Sequence, residues 1–224
     1  MKRPDATDPA SFRYRLRKRR FRHVERIIRS VAAAQAKVTI LDVGGRRDYW
    51  DYLPDDLRPI VSITLVNFED ELTNFAQKTD GLDLTTVVGD GCDMPQFADD
   101  SFDIVHSNSV IEHVGSLANM GRFAAETRRI GKRYYVQAPY LWFPIEPHYG
   151  VPILAWLPPP TRAAITHKHK VGYSDTPIPD YGEALFEADF INLPDKTLFR
   201  KLFPDAEQKR ERFIGLTKSL IAVG

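Results

Sequence analysis

The 224-residue sequence predicts a doubly wound α/β sheet, mostly parallel, with its last strand antiparallel. Three observations carry that expectation. β-branched apolar runs alternate four times with helical or turn-like stretches, as in a parallel sheet covered on both faces. The first run, Val38–Val43, ends in Gly44 and Gly45, where the absent Cβ allows a sharp exit turn and close approach of a ligand to the backbone. Near the end of the chain, Lys209–Ile214 and Leu216–Val223 read as strands separated only by Gly215. That gap is too short for a parallel crossover, so the two must pair antiparallel.

Taken in order, residues 1–10 hold two prolines and few apolar side chains and read as a mobile tail. Ser11 is placed to cap a helix reaching about Ala34, with Phe21, Val24, Ile28 and Val31 on its inner face. Asp48–Leu53 is at most a short helix, stopped by Pro54. Pro59–Asn67 is the second strand, Asp70–Gln77 a brief helix or loop, Leu84–Val88 the third strand and Phe102–Ser107 the fourth. A helix over Ser116–Ile130 and a fifth strand over Arg133–Ala138 follow. Residues 139–192 then break the pattern, being rich in proline and aromatics with one helix near Tyr181–Ala188. An irregular stretch of this length inside a compact domain usually serves as a lid or specificity element. Leu193–Leu202 restores a helix. The domain division expected is a basic N-terminal arm and helix over 1–35, then one domain over 36–224 with 139–192 as its insertion.

Composition excludes several classes. No apolar run reaches membrane-spanning length, and the charged N-terminus lacks the apolar core of a secretory signal, so a cytoplasmic protein is expected. Cys92 is the only cysteine, which rules out a disulfide framework and a multi-cysteine zinc site. His167 and His169 flank Lys168 without a convincing further ligand set, and no metal is expected. Charge is uneven. Residues 1–30 carry eleven Lys or Arg against three acidic side chains, a net of +8 in a chain whose total is +1. That basic face is either a solvated helix surface or a receptor for an anionic substrate or an acidic lipid surface, the latter a peripheral contact only. Nucleic acid is the weakest partner, because the arm lacks interleaved exposed aromatics.

Three motifs then bear on function. Leu41-Asp42-Val43-Gly44-Gly45 closes the first strand. Gly89-Asp90-Gly91-Cys92-Asp93-Met94-Pro95 follows the third and leads to Asp100-Ser101-Phe102-Asp103-Ile104-Val105. Ser109-Val110-Ile111-Glu112-His113-Val114 follows the fourth. Together they resemble the class I S-adenosylmethionine-dependent methyltransferases, specifically the broad type 11 small-molecule group, over about residues 38–138 and 193–223. The resemblance implies a seven-stranded Rossmann-like sheet and S-adenosylmethionine as cofactor, with S-adenosylhomocysteine as product. It also implies roles. Asp42 and the Gly44–Gly45 backbone would face the amino and carboxylate end of the methionine moiety, and Asn67 or Glu69 would hold the ribose. Asp90 would accept from the adenine amine beside the Gly91 or Cys92 backbone, while Ser107 and Asn108 would sit near the methyl group. Two departures stand out: the family's second glycine falls on Arg46, and the acidic residue that usually ends strand two is Asn67, which loses the charge-assisted part of a ribose bond.

Methyl transfer needs alignment of nucleophile, methyl and sulfur above all, and a base only for a protonated acceptor. His113 and His148 are the candidate bases, with Glu146 placed to orient His148, while Trp142, Phe143, Tyr149 and Trp156 of the insertion are candidates for excluding water. The acceptor expected is a small molecule, glycan-like or lipid-linked, and possibly anionic. A nicotinamide oxidoreductase is disfavoured by the missing Gly-x-Gly-x-x-Gly turn, and a nucleotide triphosphatase by the missing phosphate-binding loop. The rival from another class is a non-catalytic protein that keeps the fold and binds the cofactor or a partner.

Overall fold

The computed structural model describes residues 11–68, 81–145 and 148–224. The expected tail over 1–10, the segment 70–77, Glu69 and Glu146 lie outside the described residues.

Helix α1 spans Phe12–Ala32, and the Ser11 hydroxyl accepts from the Tyr14 N–H at 3.1 Å, satisfying one of the orphan donors of its first turn. Phe21, Val24, Ile27 and Ile28 are buried against Val38, Ile40, Trp50 and Ile63. The apolar stripe therefore makes α1 one covering layer of the sheet. Strands β1 (Val38–Val43), β2 (Val61–Asn67), β3 (Asp83–Val88) and β4 (Ile104–Asn108) lead to α2 (Leu117–Ile130), capped by Ser116 on Asn119 N–H. Strand β5 (Tyr134–Pro139) precedes the insertion, which carries α3 (Pro159–Lys168) and α4 (Tyr181–Phe190). Helix α5 (Lys196–Leu202) and strands β6 (Glu207–Phe213) and β7 (Leu216–Val223) complete the chain.

The seven strands order as β3-β2-β1-β4-β5-β7-β6, with only β7 antiparallel to its neighbours β5 and β6. The turn joining β6 to β7 has positive φ at both Ile214 (47°) and Gly215 (78°), the pair of signs that suits the twist of a tight hairpin. Helix α2 and α5 cover the face opposite α1, where Val43, Val105, Met120, Phe123, Val136, Phe199 and Phe203 pack together. The chain runs outward one way from β1 through β2 to β3, and the other way from β4 to β5. The carboxyl ends of β1 and β4 therefore flank a switch point, the place where open α/β sheets bind ligands.

Two expectations are corrected. Phe102 does not begin the fourth strand; it makes only an isolated bridge to Gly131, and the ladder opens at Ile104. Residues 158–168 are not irregular, because Pro158 is the N-cap and Pro159 and Pro160 fill the first turn of α3. There the missing N–H groups cost nothing and a fixed φ favours the helix.

Candidate active site

Strand β1 delivers its glycine turn to the switch point. Gly44 has φ +68°, and a Cβ there would collide with Val110; a Cβ on Gly45 would collide with the Asp42 carboxylate. Asp42 is buried and held from two sides: Trp50 Nε1–H donates to Oδ2 at 2.8 Å, and His106 Nδ1 meets Oδ1 at 2.6 Å. With Asp42 ionised, that short contact places the proton on Nδ1. Asp42 was expected to face the methionine end of the cofactor; in the structure both its oxygens support Trp50 and His106 beneath the turn. Asn67, at the end of β2, donates its Nδ2–H to the Gly45 carbonyl at 2.9 Å. Its side-chain amide thus clips the glycine turn to the neighbouring strand.

A cleft of about 500 Å³ opens beside this turn, within the range of small-molecule sites. Gly44, Asn67, Asp90, Gly91, Cys92 and His113 line it, with Val66, Val110, Val114 and Phe123 as apolar wall. Asp90 is exposed, and its Oδ1 accepts the Cys92 N–H at 2.9 Å, which shapes the turn after β3. Burial, then the Asp90 charge, pushes the Cys92 thiol up to about 11, so it stays protonated and serves as packing rather than as a nucleophile.

Two smaller pockets adjoin the cleft. One, of about 60 Å³, shares Gly44 and Arg46 with the cleft and adds Asp42, Gly45, Arg17 and Asn108. The other, of about 110 Å³, is polar and lies between α1, β5, β7 and the start of the insertion. Arg17, Ser109, Glu112, Gln137, His148 and Lys218 line it. Ser109 lines both this pocket and the cleft, held at φ +60° by its N–H to the Gln137 carbonyl (2.9 Å) and its Oγ to Gln137 Oε1 (3.0 Å). Across the same boundary His113, in the cleft, meets His148, in the pocket, with Nε2 atoms 2.9 Å apart.

The structure thus gathers Gly44, Asn67, Asp90, Gly91, Cys92 and His113 in one cleft and puts Asn108 and His148 next to it. Ser107 is fully buried and lines none of the three cavities. Neither Trp142, Phe143, Tyr149 nor Trp156 lines the cleft or the polar pocket. Trp142 and Trp156 pair at the surface, 5.8 Å apart, and Phe143 packs toward Phe213. The aromatic of the insertion that does reach the cleft is Phe190 on α4, 5.8 Å from the His113 ring. The insertion is tied down there by Asn192, whose N–H donates to the Glu112 carbonyl at 2.9 Å. His167 donates from Nδ1 to the Ile178 carbonyl, and His169 is exposed.

Arg17, Ser109, Gln137 and Lys218 were not singled out from the sequence. For Arg17 a signal exists: positions 17, 20, 21, 24 and 28 share one helix face, so Arg17 and Arg20 continue the buried stripe of α1 past the edge of the sheet. Burial, then the adjacent Arg20 guanidinium, holds Arg17 below its ordinary value, and it has no ion-pair partner among the described residues.

A sheet of this order, with a glycine turn and a largely apolar cleft at its switch point, defines a Rossmann-like fold. Residues 41–134 match the family described as "Methyltransferase domain". Over those residues the chain is similar to the class I S-adenosylmethionine-dependent methyltransferases, a similarity that implies S-adenosylmethionine as cofactor. Among solved structures it is similar to the PH0226 protein of Pyrococcus horikoshii OT3, at 17% identity and TM-score 0.56, over 96% of this chain and 92% of that one. The CurJ carbon methyltransferase aligns at 12% identity and TM-score 0.57, over 90% of this chain but 52% of that one, so this chain spans about half its length. An O-methyltransferase family protein of Burkholderia thailandensis aligns at 14% identity and TM-score 0.53, over 92% and 56%. At such identities the likeness concerns the fold. A search of curated proteins finds no significant match. No described helix is long and apolar enough to cross a membrane.

The residues present fit the cofactor. An ammonium group needs acceptors, and Asn108 Oδ1 is buried with no hydrogen-bond partner among the described residues. An adenine amine needs an acceptor at the other end of the cleft, where Asp90 lies; the apolar wall between suits the ring. Asn67 has its carbonyl oxygen left for a ribose hydroxyl once its amide nitrogen serves Gly45. Asn67→Asp, which restores the acidic residue usual in the resembling family, is therefore expected to weaken binding. The added charge strengthens one ribose bond by about 1 kcal/mol, but a buried carboxylate replaces the donor opposite the Gly45 carbonyl, at about 1–3 kcal/mol or more. Calorimetry with S-adenosylhomocysteine should show about tenfold weaker affinity. A tighter complex would mean that the clip to Gly45 contributes little.

Proposed function

We propose that this domain transfers the methyl group of S-adenosylmethionine to a small anionic acceptor whose charged end occupies the polar pocket. The observation that carries this reading is the shared boundary, where Ser109 lines both cavities and His113 meets His148 across it. The pocket brings Arg17, Arg20 and Lys218 against Glu112, and since Glu211 pairs with Arg20 and stands 3.6 Å from Lys218, one positive charge is left over in a site walled by protein. Its volume equals about three or four waters at about 30 Å³ each, room for a carboxylate or phosphate end rather than for a whole glycan.

The cofactor supplies an electrophilic methyl on sulfur. Asn108, Asn67 and Asp90 would hold its polar groups, and the Gly44–Gly45 turn leaves the backbone open to it. Arg17 and Lys218 would fix the acceptor, Ser109 and Gln137 would align its nucleophilic atom, and the His113–His148 pair would receive its proton where no ion lies between them. Phe190 and the end of the insertion shield the boundary from water.

The test is methyl transfer from labelled S-adenosylmethionine to a panel of small carboxylates and phosphates, with neutral analogues as controls. Arg17→Ala should raise the KM of the acceptor by about 10–100-fold, the worth of a charge-assisted bond, with S-adenosylhomocysteine affinity nearly unchanged. If that variant loses cofactor affinity instead, Arg17 serves the methionine carboxylate. Cofactor binding with no turnover on any anionic acceptor would favour the non-catalytic alternative.

A further inference from the structure

We infer that Glu112, His113 and His148 form a divalent-cation site at the boundary between the cofactor cleft and the polar pocket, which takes an oxygen-bearing acceptor as its remaining ligand. The ligand atoms of these three side chains all lie within 4.8 Å of one another. Glu112 is fully buried, while the two histidines are half-buried and face open space on opposite sides of the boundary.

The geometry of the histidine pair favours an ion. Their rings are nearly perpendicular, at 86°, with the Nε2 atoms 2.9 Å apart. Two imidazole nitrogens each about 2.1 Å from one ion, at a right angle, would be about 3.0 Å apart. Small rotations of His148 thus convert the contact into a pair of adjacent ligands. Glu112 supplies the negative charge that two neutral imidazoles lack. Two histidines and one carboxylate leave several coordination positions open, and this donor set suits zinc, iron, cobalt or manganese better than magnesium or calcium. The sequence set His167 and His169 aside as a metal pair and gave no metal expectation; the two histidines proposed here come from the turn after β4 and from the insertion, 35 positions apart.

The cation site stands on the three side chains alone; its role with the acceptor rests on the methyltransferase reading above. Glu112 and His148 line the polar pocket, so open positions face the acceptor end. An acceptor hydroxyl bound there loses its proton more easily, because the ion stabilises the resulting oxyanion. The oxyanion then forms the new O–CH₃ bond as the S–CH₃ bond breaks, and that bond's electron pair stays on sulfur. The proton leaves to water. The ion is not consumed and no electron is transferred. The acceptor class this selects is a hydroxyl with a neighbouring anionic oxygen, such as a 2-hydroxy acid or a catechol, and the transfer is O-methylation.

The experiment uses the full chain, freed of metal with a chelator and titrated with Co²⁺ by absorption spectroscopy and with Mn²⁺ by magnetic resonance. S-adenosylhomocysteine affinity is measured in parallel. One Co²⁺ per chain is expected, with bands of an imidazole-ligated ion. His148→Ala and Glu112→Gln should each weaken it by more than the roughly 10–100-fold that outer-shell changes cost, and His169→Ala should not. His148→Ala lies on the insertion, so it keeps the test decisive if Glu112→Gln fails to fold. Absence of stoichiometric metal, or metal binding that survives His148→Ala, in protein that still binds S-adenosylhomocysteine overturns the inference and leaves the methyltransferase reading intact. Metal binding without cofactor binding would do the reverse.

Discussion

Asp42→Ala is expected to lower the stability of the fold by about 3–5 kcal/mol. Two buried donors depend on that carboxylate, Trp50 Nε1–H at 2.8 Å and His106 Nδ1–H at 2.6 Å, and each loses its acceptor. A buried donor left without a partner costs about 1–3 kcal/mol, and bonds to a charged group lie at the upper end. Against a total of about 5–15 kcal/mol for a domain, such a loss is severe. The effect should spread, because Trp50 is fully buried against Phe21 on α1, and His106 stacks on Tyr135 of β5. Asp42→Asn is the informative companion. Its Oδ1 can still accept from Trp50, and its amide can donate to His106 once the ring carries its proton on Nε2, so the cost should be nearer 1–2 kcal/mol. Urea unfolding of both variants measures the difference. If the two cost the same, the charge matters more than the hydrogen-bond pattern. If neither costs more than about 1 kcal/mol, Asp42 is not the support described here, and its carboxylate is available for the methionine end of the cofactor.

The lining of the cleft beside the glycine turn was legible because it is local. Asp42 to Gly45 and Gly89 to Cys92 each sit within a few residues of one strand end, and a parallel sheet brings strand ends to one edge whatever the loops do. Helix starts at Ser11, Ser116 and near Asp195 were legible for the same reason: a cap acts within three residues. Helix α3 was not, since a run of prolines signals irregular chain unless its prolines fall in the first turn. The polar pocket was illegible for a different reason. Arg17, Gln137, His148 and Lys218 meet only through the sheet order, with β7 inserted beside β5 and α1 folded over β1 and β4. Eleven basic residues in the first thirty look alike in composition; helix phase separates Arg17 and Arg20 from the exposed Arg15, Lys18, Arg19 and Arg22. The insertion misled in another way. Its tryptophans suggested a water-excluding lid, yet an indole with a surface partner and a carbonyl to donate to, as Trp156 has in Leu141, can be satisfied away from the site.

Arg20 and Glu211 give the second large effect. Their 2.8 Å ion pair ties α1 to β6, the edge strand, and both side chains are buried. Ser219 Oγ–H donates to Glu211 Oε2 at 3.1 Å, and Lys218 stands 3.6 Å away. Arg20→Met should cost about 3–5 kcal/mol, because it leaves a carboxylate buried with only the more exposed Lys218 to balance it. Arg20→Met with Glu211→Leu should recover most of that, to within about 1–2 kcal/mol of the native chain, since apolar groups of similar volume avoid the desolvation of both charges. The pair also sets a pH dependence. Burial pushes the Glu211 carboxyl up, but Arg20 and then Lys218 outweigh it and hold it below the usual carboxylate range. A carboxylate depressed in the folded state stabilises above its unfolded value, about 4.3, and that contribution is lost as pH falls through the folded value. The native chain should therefore lose stability faster than the double variant below about pH 4. Equal slopes for the two in acid unfolding would show that the pair carries no linkage. Arg20 also lines the polar pocket, so the double variant separates two roles. Its fold and S-adenosylhomocysteine affinity should return while acceptor binding stays impaired. A double variant with a native acceptor KM would remove Arg20 from the pocket's function and leave it only the joint between α1 and β6.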